Sequence, residues 1–430
     1  MTPAARLAQF AAKAQPGPAN LDMMRLSLAD WMTVGLAGRA EPVAQIIRQM
    51  VQDEDGQGPA SIIGASGTQP PRAAALANGT ISHALDYDDT HFAHIGHPSV
   101  AVLPAALATA EAEGAEGEAF LKAALIGVEA SIRVGLWLGR SHYQAGFHQT
   151  ATAGAFGATL ASARLMGLDI AQTETALNLV ATRASGLKSQ FGAMGKPYNA
   201  GMAASNGVEC AQLARLGMTA APDGMGAAQG FGPTHHGALD IHPFDPDGVW
   251  HFDTISHKFH ACCHGTHATL EALGQIVPQL KGEITQVKIT THPRWLSVCD
   301  IKSPRDGLEV KFSYAHTAAM ALRGVSTAAL NSFSDECAAD PALVALAEKV
   351  IVTAAEDIAE TASEVSVATA ADSLDATYDL ANHLSSSALR TKLMAKSQAL
   401  LGAHLAADIW ATCTSDAAPS QIGAHLRALS

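Results

Sequence analysis

The stretch from residue 83 to residue 99, HALDYDDTHFAHIGHPS, gathers acidic and basic side chains in a chain otherwise rich in alanine, leucine and glycine. Its aspartates are Asp86, Asp88 and Asp89, and its histidines are His83, His91, His94 and His97. Such residues could bind a metal ion, transfer protons near neutral pH, or form only a polar loop.

The spacing of the histidines argues against a metal ion. His91, His94 and His97 are three residues apart, whereas a helical zinc site places two histidines four residues apart. Pro98 also disfavours a helical conformation at His97. The run DYDD lacks the glycine and the downstream glutamate of a calcium loop. We therefore expect no metal ion at this loop.

Two other roles remain open for this stretch. Asp88 and Asp89 could accept backbone N–H groups or cap the next helix together with Ser99. His97 stands directly before Pro98, at the start of a predicted helix, where the helix dipole should disfavour the imidazolium and leave a neutral base. His97 could also merely pack between the loop and that helix.

Four further polar loops precede apolar helices. They are GRSHYQAGFHQT (139–150) with His142, Tyr143 and His148; GAMGKPYNAGMAASNG (192–207) with Lys196; SHKFHACCHGTH (256–267) with Lys258, His260, Cys262, Cys263, His264 and His267; and KFSYAHT (311–317) with Lys311, Tyr314 and His316. Lysines and histidines gathered in a cleft would bind carboxylates and move protons near neutral pH.

The elements that must position these loops change character near residue 250. Before it, apolar and small residues recur at helical spacing, which predicts helices over 21–38, 41–54, 71–86, 98–114, 117–139 and 150–167. Gly114, Gly139 and Gly167 stand where helices should end. The 150–167 segment is apolar on nearly every face, which predicts burial at the centre of a bundle.

After residue 280, alternating runs predict strands at 286–292, 349–355 and 363–369, with a helix over 313–331. The segment 387–413 again has a helical pattern. The expected fold is mainly α: a large all-helical domain, 1–255 completed by 386–430, with a smaller α+β domain inserted at 256–385. A chain of 430 residues commonly divides in this way.

Composition excludes several classes of partner. The net charge of −13 argues against a nucleic acid or an anionic membrane surface, which require basic patches. We find no apolar run long enough to span a membrane and no secretory signal, so we expect a cytoplasmic protein. The six cysteines form no CxxC pair, so neither a zinc ribbon nor a redox motif is indicated.

Four motifs in order resemble one family. HALDYDDTH…HPSVAVLPAALA, GFHQTATAGAFGATLASARLMGLD, GKPYNAGMAASNG and KFHACCHGTH are similar to successive signatures of the MmgE/PrpD family, and the resemblance covers almost the whole chain. That family includes 2-methylcitrate dehydratase, cis-aconitate decarboxylase and iminodisuccinate epimerase. The resemblance implies a cofactor-free homodimer in which the α+β domain serves as a lid.

The resemblance also implies a chemistry and a set of residues. The family removes or delivers a proton at a carbon next to a carboxylate, so the substrate would be a small anionic di- or tricarboxylate. Asp86, Thr90 and His97 match the first motif, His148 the second, Lys196 the third and Lys258 the fourth. We expect His97, His148, Asp86 and Lys258 to be catalytic, while Thr90, Lys196, Tyr143, His264, Tyr314 and His316 bind the substrate.

One departure from the family bears on the reaction. Where several members have KFSxxYxVA, this chain has KFSYAHTAA, which places His316 at the tyrosine position and leaves Tyr314 as a partial substitute. Additional histidines suit an exchange between two bases, so the sequence narrowly favours an epimerase resembling iminodisuccinate epimerase. The alternative is a lyase of the 2-methylcitrate dehydratase or cis-aconitate decarboxylase type. A non-catalytic binding protein would not need Lys196 and Lys258.

Overall fold

The computed structural model describes residues 1–245 and 248–427. The chain forms two compact units, one of Met1–His257 with Leu401–Ser430, the other of Lys258–Leu400. The second unit takes in a helix that the sequence-based division gave to the helical domain. The predicted domain boundaries, 256–385 for the smaller domain, stay a prediction.

The first unit is helical, because long segments repeat small and apolar residues at helical spacing. Its elements are α1 (Pro3–Lys13), α2 (Pro18–Gly38), α3 (Pro42–Asp53), α4 (Pro71–Ser82), α5 (Pro98–Glu113), α6 (Gly117–Gln144), α7 (Gln149–Leu165), α8 (Ile170–Val180), α9 (Gly195–Arg215) and α10 (Phe231–Thr234), with a hairpin of β1 (Ala60–Ser61) and β2 (Thr68–Gln69).

Helix α7 lies at the centre of the first unit. Every residue from Gln149 to Ala163 is buried, and the helix packs against α5, α6 and α9. Small residues permit this packing: a Cβ added to Gly157 would lie 2.5 Å from the carbonyl oxygen of Gly127 in α6. The prediction of a buried central helix is confirmed.

Glycines end or break the helices as predicted. Gly114 follows α5 with φ of 63°, and Gly139 interrupts α6 with φ of 67°; both angles are left-handed and favour glycine. Helix α4 is shorter than predicted, since it ends at Ser82 and not at Asp86. The φ of Asp86 is 51°, which cannot continue a right-handed helix.

The second unit combines helices with one mixed sheet. Its elements are α11 (His267–Ile276), β3 (Ile284–Thr291), α12 (Pro293–Cys299), α13 (Gly307–Val310), α14 (Tyr314–Leu322), α15 (Asp335–Ala339), α16 (Pro341–Ala347), β4 (Val350–Ala354), β5 (Ala362–Thr369), β6 (Ser373–Asp379) and α17 (Ser386–Leu401). The strand order is β4-β3-β5-β6, with β3 and β4 parallel and the other pairs antiparallel.

The three predicted strands form, and the alternation of their side chains explains why. Val287 and Ile289 of β3 are buried and lie opposite Val367 and Val365 of β5. The fourth strand, β6, was missed because its segment contains two aspartates, which are depleted in strands. The predicted helix over 313–331 was too long, since α14 ends at Leu322 and Gly324 has a left-handed φ of 72°.

The chain then returns to the first unit through α18 (Ala403–Cys413) and α19 (Pro419–Arg427). The fold class is mainly α with a smaller α+β unit, as the sequence predicted. Within the described residues, no helix combines the length and apolar character needed to cross a bilayer.

Candidate active site

The loop between α4 and α5 has an unusual backbone. Asp86 and Ile95 have φ of 51° and 56°, which residues other than glycine rarely adopt. The loop turns tightly, because the His91 N–H donates to the Gly96 carbonyl and the Ile95 N–H donates to the His91 carbonyl, both at 2.9 Å. Strain of this kind costs roughly 1–3 kcal/mol per residue and clusters at functional sites.

Asp88 lies at the buried centre of this loop, between two histidines. Its Oδ1 accepts a hydrogen bond from Nδ1 of His83 at 2.9 Å, and its Oδ2 lies 3.1 Å from Nδ1 of His97. Nε2 of His97 lies 3.1 Å from Oδ1 of Asp86. Each ring nitrogen of His97 therefore faces a carboxylate, an arrangement that suits the imidazolium, which carries a hydrogen on both nitrogens.

The pKa values follow from this arrangement. Burial alone lowers the pKa of His97, but the adjacent carboxylates of Asp88 and Asp86 outweigh it and raise the pKa above its ordinary value. Burial raises the pKa of Asp88, but His83 and His97 outweigh it and hold that pKa well below the usual range. Asp88 is thus ionised and His97 is biased towards the charged form.

The expectation of a neutral His97 was therefore wrong. His97 does stand at the N-terminus of α5, where the helix carries roughly half a positive charge. Two carboxylates at 3.1 Å exert a stronger and opposite effect. The structure thus favours His97 as a proton donor and not as a base.

Lys196 extends this group from the first turn of α9. Its Nζ lies 2.7 Å from Oδ2 of Asp86 and 5.3 Å from the centre of the Phe191 ring. Side-chain exposure falls from 48% at Asp86 to 16% at Lys196, 11% at His97 and 2% at Asp88. A ligand would therefore meet Asp86 and Lys196 before it meets His97.

His148 completes the cluster at the N-terminus of α7. Its ring stacks on that of His83, with centroids 6.0 Å apart, and the Phe191 ring meets it edge-on at 4.9 Å. Burial, followed by the positive charges of neighbouring groups such as Lys196, lowers the pKa of His148 well below its ordinary value. His148 is neutral near pH 7 and is a weak base.

Asp89 has the structural role that was left open for it. Its Oδ1 accepts the backbone N–H of Ser99 at 3.3 Å, in the first turn of α5. Burial raises its pKa, and the neighbouring carboxylates Asp88 and Asp30 raise it further, to about 7 in spite of the Ser99 hydrogen bonds. The prediction of a capping aspartate is confirmed for Asp89.

A metal ion would find ligands here that the histidine spacing did not indicate. One ligand atom from each of His83, Asp86, Asp88 and His97 lies within 4.8 Å of the others. The ammonium group of Lys196, 2.7 Å from Asp86, would compete with a cation for that carboxylate. The expectation that the protein needs no metal stays a prediction.

Two further candidate residues, Thr90 and Tyr143, also belong to the first unit. Thr90 forms a backbone bridge with Ser256, in which the two residues exchange hydrogen bonds of 2.7 and 2.8 Å. The centre of the Tyr143 ring lies 3.7 Å from Nζ of Lys188. The roles of Thr90 and Tyr143 in substrate binding stay predictions.

The remaining candidates belong to the second unit. Lys258 is buried, and its charge contributes to lowering the pKa of His267, after burial and the two nearby histidines His264 and His260. The rings of His264 and His267 are 4.8 Å apart. The catalytic role of Lys258 and the binding role of His264 stay predictions.

Tyr314 and His316 both make hydrogen bonds inside this unit. The fully buried hydroxyl of Tyr314 donates to the Gly265 carbonyl at 2.7 Å and lies 3.1 Å from Oγ1 of Thr291. Nε2 of His316 donates to the Cys337 carbonyl at 2.9 Å. These donors are already used within the unit, and the roles of Tyr314 and His316 in substrate binding stay predictions.

Four residues of the cluster were not selected from the sequence as functional. His83 and Asp88 are in the opening stretch, but their pairing depends on the turn at Asp86. Asn199, whose side chain is bonded to His148 at 3.2 Å, follows Lys196 by three residues and so shares its helix face. Phe191 precedes the third motif, and no pattern in the sequence marked it.

Two protein-family models together match most of the chain. Residues 5–242 match the model of the MmgE/PrpD N-terminal domain, and residues 260–410 match that of the MmgE/PrpD C-terminal domain.

Similar curated proteins include three from fungi and man. The cis-aconitate decarboxylase-like protein oryM of Aspergillus oryzae is 29% identical over 63% of this chain and 61% of its own. The cis-aconitate decarboxylase of Aspergillus terreus is 29% identical over 59% and 55%, and that of Homo sapiens is 32% identical over 38% and 35%. The matched segments thus span about three fifths or less of these relatives.

Proposed function

Because the chain belongs to the MmgE/PrpD family, we propose that it is an enzyme acting on a small di- or tricarboxylate, and that it is a lyase. The relatives are named as cis-aconitate decarboxylases, which supports a lyase and gives no support to the epimerase that the sequence narrowly favoured. The substrate class we propose is an unsaturated tricarboxylate of the cis-aconitate kind.

The observation that carries this proposal is the placement of His97 between Asp86 and Asp88. An exchange between two bases requires a group that can take a proton from carbon. His97 is biased towards its charged form, and the lowered pKa of His148 makes it a weak base. Decarboxylation needs no base: it needs cations to hold the carboxylates and an acid to protonate the product.

The proposed reaction has two steps. The bond between a carboxylate and its carbon breaks, CO₂ leaves, and the electron pair is delocalised through the neighbouring double bond towards a remaining carboxylate. His97 then gives its proton to the carbon next to that carboxylate, which yields an unsaturated dicarboxylate. His97 regains a proton from solvent, so each turnover consumes one proton and releases one CO₂.

The other residues would bind the substrate and stabilise negative charge. Asp86 and Asp88 balance the charges of His97 and Lys196, so a substrate with several carboxylates needs further positive charge. We propose Lys258, which the family resemblance assigns to the active site, as that additional cation. Lys196 can turn from Asp86 to a substrate carboxylate, since both groups are accessible.

Two further proposals concern the assembly and the location of the protein, and the first of them rests on the family resemblance. We propose that the protein works as a homodimer without a cofactor, and that it acts in the cytoplasm. Sedimentation analysis of the purified protein tests the dimer, with a monomer at working concentration as the contrary result.

The experiment that tests the proposed activity is incubation with a panel of small carboxylates. Saturated and unsaturated di- and tricarboxylates are supplied separately, while released CO₂ and the products are measured by infrared absorption and proton NMR. We expect equimolar CO₂ and unsaturated dicarboxylate from a cis-aconitate-like compound. Interconversion of stereoisomers without CO₂ would indicate an epimerase, and binding without turnover would indicate a binding protein.

A further inference from the structure

His148 and Asn199 form a hydrogen bond between two buried side chains. Nδ2 of Asn199 lies 3.2 Å from Nδ1 of His148 and 3.3 Å from the carbonyl oxygen of Leu187. His148 is held in turn by its backbone, because its N–H donates to the Gly186 carbonyl at 3.0 Å. The backbone and the ring of His148 are therefore each held by a hydrogen bond.

The Leu187 carbonyl determines how the Asn199 amide is oriented. A carbonyl oxygen can only accept, so the amide atom that faces it must be the nitrogen. That nitrogen carries two hydrogens, and the second is available to Nδ1 of His148. Nδ1 must then be the acceptor of this bond, and the hydrogen of a neutral His148 must lie on Nε2.

We propose that Asn199 is a positioning residue that holds neutral His148 in its Nε2–H tautomer, so that His148 donates a hydrogen bond to the substrate and does not act as a base. Nε2 of His148 makes no hydrogen bond to any residue in 1–245 or 248–427. The tautomer follows from the geometry, whereas the contact with a substrate carboxylate rests on the proposed function.

The neighbouring histidine provides a contrast. His83 stacks on His148, but its Nδ1 faces the ionised carboxylate of Asp88 at 2.9 Å, so its hydrogen lies on Nδ1. The two stacked rings therefore have opposite tautomers, set by an amide donor in one case and a carboxylate acceptor in the other. A donating His148 beside the cations His97 and Lys196 would stabilise negative charge on a bound carboxylate.

The test is a nitrogen NMR experiment on protein labelled with ¹⁵N-histidine. The His148 signals are assigned by their loss in His148→Gln, and one- and two-bond couplings report which nitrogen carries the hydrogen. We expect Nε2 to be protonated and Nδ1 bare at pH 7.5. A hydrogen on Nδ1 of wild-type His148 would overturn the inference, whatever the activity of the enzyme.

The variant Asn199→Asp reverses the bond with almost no change in shape. Its carboxylate accepts where the amide donated, so the hydrogen should move to Nδ1 and the pKa of His148 should rise. Asn206→Asp adds a carboxylate to the same helix, where Asn206 bonds Arg183 instead, and should leave the His148 signals unchanged. Unchanged His148 signals in Asn199→Asp would contradict the role of Asn199.

Kinetics separate this inference from the proposed function. With an active substrate, Asn199→Asp should lower kcat at least about tenfold and add an ionisation near neutral pH to the rate profile, and Asn206→Asp should do neither. If no carboxylate is turned over but Nε2 is protonated, the lyase proposal fails and the tautomer stands. If Asn199→Asp does not fold, the wild-type spectrum alone decides the tautomer.

Discussion

Nδ1 of His97 lies 3.1 Å from Oδ2 of Asp88, a carboxylate that is almost completely buried. The opposite nitrogen of His97 lies 3.1 Å from Asp86, which is half exposed. His97 thus joins a buried charge to an accessible one, and its own positive charge balances them. This relationship biases His97 towards its charged form, which fits the acid role we propose for it, and it also gives His97 a structural role.

Asp89→Asn should stabilise the protein at high pH. The pKa of Asp89 in the folded protein is raised from 3.8 to about 7. Between these two pH values the carboxyl group is mostly ionised in the unfolded chain but mostly protonated in the folded protein, so ionisation favours unfolding. The resulting penalty grows as the pH rises to about 7 and then stays constant. Asparagine keeps the oxygen that accepts the Ser99 N–H and carries no charge.

The measurement for Asp89→Asn is thermal unfolding of both proteins at pH 5 and pH 8. At pH 8 the variant should be more stable by about 1–4 kcal/mol, since each unit of pKa shift corresponds to about 1.4 kcal/mol. At pH 5 the gain should be much smaller. A gain that does not depend on pH would show that Asp89 is not protonated in the folded protein.

Lys196→Met should lower kcat/KM by about 10- to 100-fold, the equivalent of a lost charge-assisted hydrogen bond of about 1.5–3 kcal/mol. Its melting temperature should change little, because its partner Asp86 is half exposed and can be hydrated. Lys122→Met is the control, since Lys122 pairs with exposed Glu118 on α6. Equal activities of the two variants would remove Lys196 from the site.

Lys258→Ala should abolish measurable turnover. The family resemblance assigns this residue a role in the reaction, and a substrate with several carboxylates needs a cation beyond His97 and Lys196. Lys281→Ala, which removes an exposed lysine from the same unit, should keep full activity. Circular dichroism of both variants checks the fold. Near-normal kcat/KM in folded Lys258→Ala would exclude the proposed role.

Activity should survive dialysis against EDTA. Asp86 and Asp88 are already balanced by His97 and Lys196, so the cluster needs no cation to be stable. Assays before and after dialysis, with elemental analysis of the protein, provide the measurement. Loss of activity that one divalent ion restores would assign a metal to His83, Asp86, Asp88 and His97.

Sequence patterns were sufficient for most of the long helices of the first unit and for strands β3, β4 and β5. The buried helix α7 followed from its uniformly small and apolar residues, and β3 followed from alternating Val287 and Ile289. The edge strand β6 was not found, because its segment contains two aspartates, which are depleted in strands. The other edge strand, β4, is equally exposed but rich in valine and isoleucine, which favour strands.

The candidate site was predictable in its residue types but not in its electrostatics. The polar loops recognised in the sequence contain Asp86, His97, His148 and Lys196, and the fold brings these residues together. The sequence predicted a neutral His97, whereas the structure raises its pKa. The difference arises because the charge of His97 depends on where Asp88 lies after the chain turns at Asp86. The sequence contains no signal for that left-handed turn.

The central claim, that His97 protonates a product carbanion after loss of CO₂, is tested most directly by running the reaction in D₂O. Wild-type enzyme should place one deuterium per product molecule at the carbon next to a remaining carboxylate and none in unreacted substrate. His97→Gln should lower kcat at least about 10²-fold, the scale of acid catalysis, and should also melt earlier, because buried Asp88 loses one of its two histidine partners. His91→Gln, a histidine of the same loop that bonds Thr254, should keep its kcat. Deuterium exchange into recovered substrate without CO₂ release, or undiminished kcat in His97→Gln, would contradict the account.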